Sequence, residues 1–304
     1  MTDRVELESL ATEQRNPASD GMDLLDTLSL VTLMNNEDRH VALAVGRELP
    51  RIAEAIDVIA ERLRRGGRLI HIGAGTSGRL GVLDASECPP TFNTPPDQVV
   101  GLIAGGDYAL RHCVEAVEDD PEAGEDSLKS IALTGGDVVV GIAASGRTPF
   151  VLGAVHYARG IGAFTIGLCT TLRSRLSEIV DISIAPLPGP EILTGSTRLK
   201  AGTAQKMVLN MLSTGAMIRL GKTYGNLMVD VQPTNTKLRT RAIGIVRDAA
   251  DVDERRARAA LDDANGDVKT AIVAIVLEIS AENARGRISS VGGVVRAALA
   301  GSES

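Results

Sequence analysis

A glycine-rich segment early in the chain has the composition of an anion-binding loop. The segment Leu69–Arg79 (LIHIGAGTSGR) combines an apolar run, closely spaced glycines and two hydroxyl side chains, Thr76 and Ser77. Glycines let the backbone approach an anion closely, and the first turn of a helix offers unpaired amides at the positive end of its dipole. The pattern predicts a strand, a tight turn and a helix start that together bind a phosphate.

The same loop also matches the dinucleotide-binding pattern G-x-G-x-x-G, at Gly73, Gly75 and Gly78. Asp107 follows the next predicted strand and could be the acid that binds a ribose, although it lies later than the pattern prefers. A purely structural turn is a third interpretation. One glycine loop alone does not separate these alternatives.

A second hydroxyl-bearing loop favours a compact phosphate over a dinucleotide. The segment Val138–Pro149 (VVVGIAASGRTP) ends a later apolar run and places Ser145 and Thr148 around Gly146, ahead of a proline that can open a helix. Two such loops at strand ends can converge on one phosphomonoester, whereas a dinucleotide needs an extended trough. The remaining alternative is a pair of unrelated strand-to-helix turns.

The elements that must position these loops alternate between strands and helices. Five short apolar runs are predicted as strands: Arg68–Ile72, Val99–Ala104, Val138–Ala143, Phe164–Leu168 and Ile182–Ala185. Near-continuous apolar strands that alternate with helices are typical of a parallel sheet covered on both faces, so we predict a doubly wound α/β fold. In such a sheet ligands bind at the carboxyl ends of the strands, beside a reversal of strand order.

Helical periodicity predicts the rest of the organisation. Apolar residues three and four apart predict a helix over Val41–Arg64, and residues 196–220 form a helical stretch rich in Ala, Met and Leu. We expect an N-terminal arm over residues 1–40, the α/β domain over residues 41–240 and a small helical domain over residues 241–304. Short helices are predicted in the last of these at Arg255–Leu261, Asp267–Ile279 and Val291–Ala300.

Composition narrows the classes of partner and location. The 304 residues carry a formal net charge of -7, which argues against a nucleic-acid partner because non-specific binding needs a basic surface. No apolar segment reaches the roughly 20 residues of a membrane helix, and residues 1–20 are too polar for a secretory signal. The cysteines Cys88, Cys113 and Cys169 are widely spaced and odd in number, as is typical of reduced thiols. We therefore expect a soluble, cytoplasmic protein.

At both loops the chain resembles the sugar isomerase (SIS) domain family, which binds phosphosugars. Over nearly the whole chain, including Thr12–Pro17 and the helical tail, it is similar to the N-acetylmuramic acid 6-phosphate etherases within that family. The most similar blocks are Gly73–Thr91 (GAGTSGRLGVLDASECPPT), Gly141–Pro149 (GIAASGRTP), Thr194–Lys206 (TGSTRLKAGTAQK), Asn210–Thr214 (NMLST) and Gly225–Asp230 (GNLMVD). The resemblance implies an SIS-type fold, a homodimer and a phosphosugar substrate.

The resemblance also implies a phosphate site. Carried over by position, the family's phosphate-binding residues fall on Ser77, Ser145 and Thr148, and Thr76 and Gly146 complete the predicted site. Phosphosugar isomerases often have a serine where this chain has Ala143, and an acid where it has Arg147. Both departures argue against an aldose–ketose isomerase. The roles of Lys200 and Lys206, near the ligand or at a subunit contact, stay open.

The reaction that the resemblance implies needs an acid and a base, and neither a metal nor a redox cofactor. Opening the sugar ring exposes an aldehyde, a base then removes the proton on C2, and an acid protonates the departing lactate oxygen on C3. Water adds to the product, giving N-acetylglucosamine 6-phosphate and D-lactate. Glu87 and Glu118 match the family's catalytic glutamates, and we assign Glu87 as the acid and Glu118 as the base. Glu115, one predicted helical turn away, is the rival for the base, and ordinary solvated glutamates are the alternative for all of them.

Two other functions stay open at this point. One is a non-catalytic phosphosugar sensor like the glucokinase regulatory protein, whose relatives are longer and carry two such domains. The other is a phosphosugar isomerase. The tail around Ala257–Val273 resembles a small ubiquitin-associated-like three-helix fold, although we favour a compact bundle that only packs on the main body or on a second subunit.

Overall fold

The computed structural model describes residues 13–231 and 235–300, and the chain divides into two compact units. The first unit comprises Met1–Ser86 and Asp97–Ser213, and the second comprises Glu87–Pro96 and Thr214–Ser304. The first twelve residues of the predicted arm and the last four residues of the predicted helical domain lie outside the described residues. The predicted domain boundaries stay a prediction.

The first unit contains a parallel sheet of five strands in the order β2-β1-β3-β4-β5. Each observed strand agrees with the predicted one to within one residue, and the predicted doubly wound α/β fold is confirmed. All five residues of the central strands β1 and β3 are buried, as expected for a sheet covered on both faces. The strands are β1 (Leu69–Gly73), β2 (Val99–Ile103), β3 (Val138–Ile142), β4 (Phe164–Leu168) and β5 (Ile182–Ile184).

The strand order reverses between β1 and β3. The chain runs outward from β1 to β2 and then returns to form β3 on the opposite side of β1. Gly73 at the end of β1 pairs with Ile142 at the end of β3, so the two loops that follow leave the sheet side by side. A reversal of this kind opens a crevice at the carboxyl ends of the strands, where ligands of open α/β sheets bind.

Helices connect and cover these strands. The two longest elements after the first strand, α3 and α8, begin in the first unit and end in the second. The carboxylate of Glu191 caps the start of α8: it accepts hydrogen bonds from the backbone amides of Lys200 and Ala201, both at 2.9 Å. The helices are α1 (Thr27–Arg47), α2 (Leu49–Arg64), α3 (Gly75–Phe92), α4 (Gly106–Arg111), α5 (Pro121–Ser130), α6 (Pro149–Gly160), α7 (Arg175–Ile179) and α8 (Lys200–Arg219).

The single helix predicted over Val41–Arg64 is wrong, because two helices cover this stretch. The first, α1, ends at Arg47, and α2 begins at Leu49 with Pro50 in its first turn. Proline has no N–H to donate to a preceding turn, but its fixed φ suits the first turn of a new helix. The apolar periodicity continues within α2, which is why the pattern concealed the break.

The second unit contains the predicted helical C-terminal region, which is confirmed. Four of its helices are capped by the residue that precedes them, whose side chain accepts a hydrogen bond from the backbone amide three residues later. These caps are Asn235, Asp253, Asp267 and Ser280. Its helices are α9 (Thr236–Ala250), α10 (Glu254–Asp263), α11 (Val268–Leu277), α12 (Ala281–Ser290) and α13 (Val295–Ala300). Within the described residues, no helix of either unit combines the length and the apolar character that a bilayer span requires.

Candidate active site

The loops after β1 and β3 line one cleft of about 330 Å³ in the first unit. Thr76 and Ser77 line it from the first loop, and Ser145 and Thr148 line it from the second. The helices that follow these loops, α3 and α6, begin at the same place, so their free amides also lie at this edge of the sheet. The structure thus brings together four of the residues that we predicted to bind a phosphate.

Gly146, the fifth predicted phosphate residue, is not among the residues that line the cleft. It is buried, and its φ of 63° lies in the left-handed region that favours glycine. A Cβ atom at this position would overlap the side chain of Ser174. The placement of Gly146 accounts for the shape of the second loop, whereas a direct contact with a ligand remains a prediction.

Ser77 is held by a residue from a distant part of the chain. Its hydroxyl donates a hydrogen bond of 2.9 Å to Gln205 Oε1 on α8. Both side chains are buried, and Gln205 Nε2 has no hydrogen-bond partner within the described part of the chain. We did not single out Gln205 from the sequence, although it stands inside the Thr194–Lys206 block of the family resemblance.

Glu118 also lines the cleft, but it does not lie on a helix. The segment between α4 and α5 is irregular, and Ala116 within it has a φ of 63°. Asp120 and Pro121 explain this, because Asp120 caps α5 with its side chain and the residue before a proline disfavours helical backbone. The backbone carbonyl of Glu118 accepts a hydrogen bond of 3.0 Å from the amide of Phe150, in the first turn of α6.

A second cavity of about 290 Å³ adjoins the cleft. Ala74, Gly75 and Glu118 line both, so Glu118 lies at the boundary between them. Glu115, the rival for the base, lines only the second cavity. The remaining residues of the second cavity are Arg79, Ala104, Ala109, His112, Cys113, Val114, Ala116 and Val117.

Glu87 is placed differently from Glu118. It is exposed near the end of α3, belongs to the second unit and lines neither cavity. The structure therefore brings Glu118 together with the hydroxyl-bearing loops, whereas Glu87 is not among the residues that line either cavity. The catalytic roles of both glutamates remain predictions.

An ion pair between buried Lys200 and partly buried Glu37 joins the start of α8 to α1, and Asn16, which precedes α1, bonds to the same carboxylate. Lys200 Nζ lies 2.6 Å from Glu37 Oε2, and Asn16 Nδ2 donates to the same oxygen at 2.7 Å. Burial alone would raise the pKa of Glu37, but the hydrogen bonds from Lys200 and Asn16 outweigh it and hold that pKa below its ordinary value. Lys200 is thus engaged away from the cleft, and Glu13, three residues before Asn16, lines the cleft.

His71 is a packed core residue. It is fully buried on β1, its Nδ1 lies 3.3 Å from the carbonyl oxygen of Gly81, and burial lowers the pKa of its imidazole. Nearby, Asp84 on α3 accepts hydrogen bonds from Asn210 Nδ2 at 2.7 Å and from Ser213 Oγ at 3.0 Å, both on α8. These bonds fix α3, which carries Thr76 and Ser77, against α8, which carries Gln205.

Comparisons with known proteins place the fold. The sequence profile of the glucokinase regulatory protein N-terminal SIS domain matches residues 51–159. A phosphoheptose isomerase from Francisella tularensis superimposes with a TM-score of 0.52 at 18% identity, covering 64% of this chain and 100% of that protein. Phosphoheptose isomerase GmhA from Neisseria gonorrhoeae superimposes with a TM-score of 0.50 at 16% identity, covering 63% and 98% of the two chains. These likenesses confirm the SIS-type fold.

Full-length relatives are much closer in sequence. The chain is 54% identical to N-acetylmuramic acid 6-phosphate etherase of Edwardsiella ictaluri, over 96% of this chain and 98% of the relative. It is 55% identical to the protein of that name from Rhodopirellula baltica, over 97% and 98% of the two chains. The corresponding protein from Jannaschia sp. is 59% identical over 88% of this chain and 84% of its own length. The chain belongs to the N-acetylmuramic acid 6-phosphate etherase family.

Proposed function

We propose that this protein is a lyase that cleaves the lactyl ether of N-acetylmuramic acid 6-phosphate. The products are N-acetylglucosamine 6-phosphate and D-lactate. The observation that carries the proposal is that Thr76, Ser77, Ser145, Thr148 and Glu118 line one cleft in a member of this family. Four hydroxyls and a carboxylate suit a phosphosugar whose carbon skeleton undergoes proton transfer.

The phosphate binds at the hydroxyls and at the first turns of α3 and α6. The described residues that line this cleft include no lysine or arginine, so its attraction for a dianion comes from hydroxyls, backbone amides and helix dipoles. Thr148 precedes α6 without capping it through its side chain, which leaves its hydroxyl available to a ligand. A phosphate monoester is compact, so unlike a dinucleotide it needs no extended trough beyond this cleft.

Gln205 orients the Ser77 hydroxyl for this task. A glutamine amide presents a donor and an acceptor of nearly the same shape, so a half-turn places Nε2 toward Ser77 Oγ. In that orientation Nε2 donates to the hydroxyl oxygen, and the Ser77 proton points to the phosphate. The exchange turns Ser77 from a donor to Gln205 into a donor to the ligand, and Oε1 then takes the position in which Nε2 has no partner.

Glu118 is the proposed base. After ring opening it takes the proton from C2 of the aldehyde, and the electron pair of that C–H bond forms the double bond between C2 and C3. The C3–O bond breaks, and its electron pair leaves with lactate, whose oxygen the acid protonates. Water then adds its oxygen to C3 and a proton to C2. No atom is oxidised or reduced overall, so these steps call for no nicotinamide or metal.

We infer that the acid, Glu87, reaches the cleft from a second copy of the chain in a homodimer. Glu87 is exposed in the single chain and is therefore accessible to a second copy of the chain. In the first unit, an apolar stripe on and just before α1 is also exposed, and a face of this kind is typical of a subunit contact. The stripe consists of Leu24, Leu28, Val31 and Met34.

We place this reaction in the cytoplasm, in amino-sugar breakdown and peptidoglycan recycling. The substrate is a peptidoglycan sugar that has been released and phosphorylated. The described cysteines are free thiols, Cys88 and Cys169 buried and Cys113 exposed, a state maintained in a reducing compartment.

One assay tests the proposed function against its rivals. The purified protein is incubated with N-acetylmuramic acid 6-phosphate, and D-lactate is measured with time. The etherase releases D-lactate in proportion to enzyme, a phosphosugar sensor binds the compound without turnover, and an isomerase interconverts aldose and ketose without releasing lactate. Absence of D-lactate release contradicts the proposal.

A further inference from the structure

The guanidinium of Arg79 is fixed in the second cavity by backbone carbonyls. Its Nε donates to the carbonyl oxygen of Leu110 at 3.1 Å, and its Nη2 donates to those of Ala109 at 2.7 Å and His112 at 3.0 Å. Carbonyl oxygens hold the group in place without neutralising its charge. Within residues 13–231 and 235–300, no acceptor is found for Nη1 and no carboxylate pairs with Arg79.

This cation is unusual in its surroundings. Among the described residues that line the cleft and the second cavity, Arg79 is the one lysine or arginine. Two carboxylates, Glu115 and Glu118, also line the second cavity and would repel a further anion there. Arg79 is positioned to offset this repulsion for a negatively charged ligand group, and a guanidinium with two free N–H donors matches a carboxylate.

The arrangement of the two cavities fits a ligand with an anion at each end. The cavities meet at Ala74, Gly75 and Glu118, so a ligand that occupies both passes Glu118. In the substrate of the proposed function, the phosphate is on C6 and the lactyl ether is on C3, at opposite sides of the sugar. With the phosphate in the hydroxyl-lined cleft and the lactyl group in the second cavity, C2 and C3 lie at the shared wall beside Glu118.

We propose that Arg79 binds the carboxylate of the lactyl group through Nη1 and so selects a muramic over a glucosamine sugar phosphate. The inference rests on the proposed function, because it assigns a contact to that substrate. Arg79 acts on recognition: it holds the ether side of the sugar in the second cavity, so that the C3–O bond lies at the wall that carries Glu118. N-acetylglucosamine 6-phosphate has no carboxylate and makes no such contact.

The test compares the natural substrate with the analogue in which the lactyl carboxylate is a carboxamide. The amide has the better leaving group, so chemistry alone would favour it, and a preference for the acid reports recognition. The wild-type protein is expected to cleave the acid with a kcat/KM at least about 10-fold higher, the lower range for a hydrogen bond to a charged group. Arg79→Met should remove this preference by raising KM for the acid.

Two controls separate recognition from structure. Arg111→Met removes an exposed cation from the end of the short helix α4, whose Ala109 and Leu110 carbonyls hold Arg79. This variant should keep the preference for the acid. Binding of N-acetylglucosamine 6-phosphate to Arg79→Met, measured by calorimetry, should stay within about two-fold of wild type, because that ligand has nothing for Arg79 to bind. If Arg79→Met weakens both ligands equally, Arg79 only supports the loop and the proposal fails.

The wild-type comparison keeps the proposal testable if Arg79→Met does not fold. Equal KM for the acid and the amide in the wild type overturns the role of Arg79 and leaves the proposed function intact. Release of no D-lactate from either compound contradicts the proposed function instead. In that case calorimetry of the two sugar phosphates still decides the inference: tighter binding of the muramic compound supports it, and equal binding overturns it.

Discussion

Ser77 and Gln205 are 128 positions apart in sequence, yet the Ser77 hydroxyl donates a buried hydrogen bond of 2.9 Å to Gln205 Oε1. The pair joins the loop after β1 to α8. In the proposed site the Ser77 oxygen already has its position when the phosphate arrives, and only the Gln205 amide and the hydroxyl proton reorient, which saves part of the entropic cost of binding.

Gln205→Leu is therefore expected to weaken substrate binding. The substitution removes the amide that orients Ser77 at nearly constant volume, and KM should rise about 10-fold with kcat changed less, since a phosphate contact exists in the ground and transition states alike. Steady-state kinetics of D-lactate release measures both constants. Gln98→Leu, just before β2 at the opposite edge of the sheet, is the matched control. An unchanged KM for Gln205→Leu would show that Ser77 needs no such support.

The second loop makes the same kind of prediction. Ser145→Ala removes a hydroxyl that lines the cleft, and KM should rise by about 10-fold or more, as for a hydrogen bond to a charged group. Ser130→Ala, at the exposed end of α5, should leave KM unchanged. Should Ser145→Ala retain the wild-type KM, the phosphate binds elsewhere.

The acid and the base are tested by charge-neutral substitutions. Glu118→Gln and Glu87→Gln should each keep binding of N-acetylglucosamine 6-phosphate and lose at least about 100-fold in kcat, the lower range for an acid–base group. Glu122→Gln, in the first turn of α5, should behave as wild type. If Glu115→Gln loses turnover while Glu118→Gln does not, Glu115 is the base.

Mixed dimers test whether Glu87 acts across the subunit contact. When Glu87→Gln and Glu118→Gln proteins are unfolded together and refolded, each heterodimer has one site with Glu118 from one chain and Glu87 from the other. Activity should reappear at about a quarter of the wild-type value, since half of random dimers are mixed and each has one complete site. Refolding either variant alone is the control. Absence of recovery, with dimers verified by sedimentation, would place both glutamates of a site in one chain.

The ion pair between Lys200 and Glu37 predicts a large effect on stability. Lys200→Met leaves the partly buried carboxylate of Glu37 without its cation, and the free energy of unfolding should fall by up to about 3 kcal/mol, the lower end for a fully buried pair, measured with urea. Lys206→Met, exposed on the same helix, should change it little.

The pH dependence of that stability has a defined sign. Because the pKa of Glu37 is lowered in the folded protein from its ordinary 4.5, its contribution is present above pH 4.5 and is lost as the pH falls through the folded pKa. The stability difference between wild type and Glu37→Gln should therefore narrow in acid. A difference independent of pH would contradict the charge pairing.

The sheet and the meeting of the two loops could be predicted because both follow from local patterns. Apolar runs bounded by glycine mark the strands, and parallel strands bring their carboxyl ends to one edge, so Ser77 and Ser145 were expected to lie close. Pro50 marks the break between α1 and α2, but the apolar periodicity of α2 continues that of α1, so the sequence pattern predicted one helix.

Other features of the site have no local sequence pattern. Gln205 reaches Ser77 only because α3 and α8 pack together, and the bonds of Arg79 depend on where α4 ends. The irregular path of the Glu118 segment reflects Ala116 and the cap by Asp120, which outweigh the helical spacing of Glu115 and Glu118. Such contacts are decided by tertiary packing and could not be read from spacing.

The hydrogen bond from the Phe150 amide to the Glu118 carbonyl gives the first turn of α6 two neighbours, the residue that carries the proposed base and the loop that ends in Thr148. This hydrogen bond thus links the loop that we propose binds the phosphate to the residue that we propose as the base. A phosphate bound at Thr148 would restrict the motion of the backbone that carries Glu118. In the proposed mechanism, phosphate binding therefore also orders the backbone of Glu118 beside the reacting carbons, through a single turn of α6.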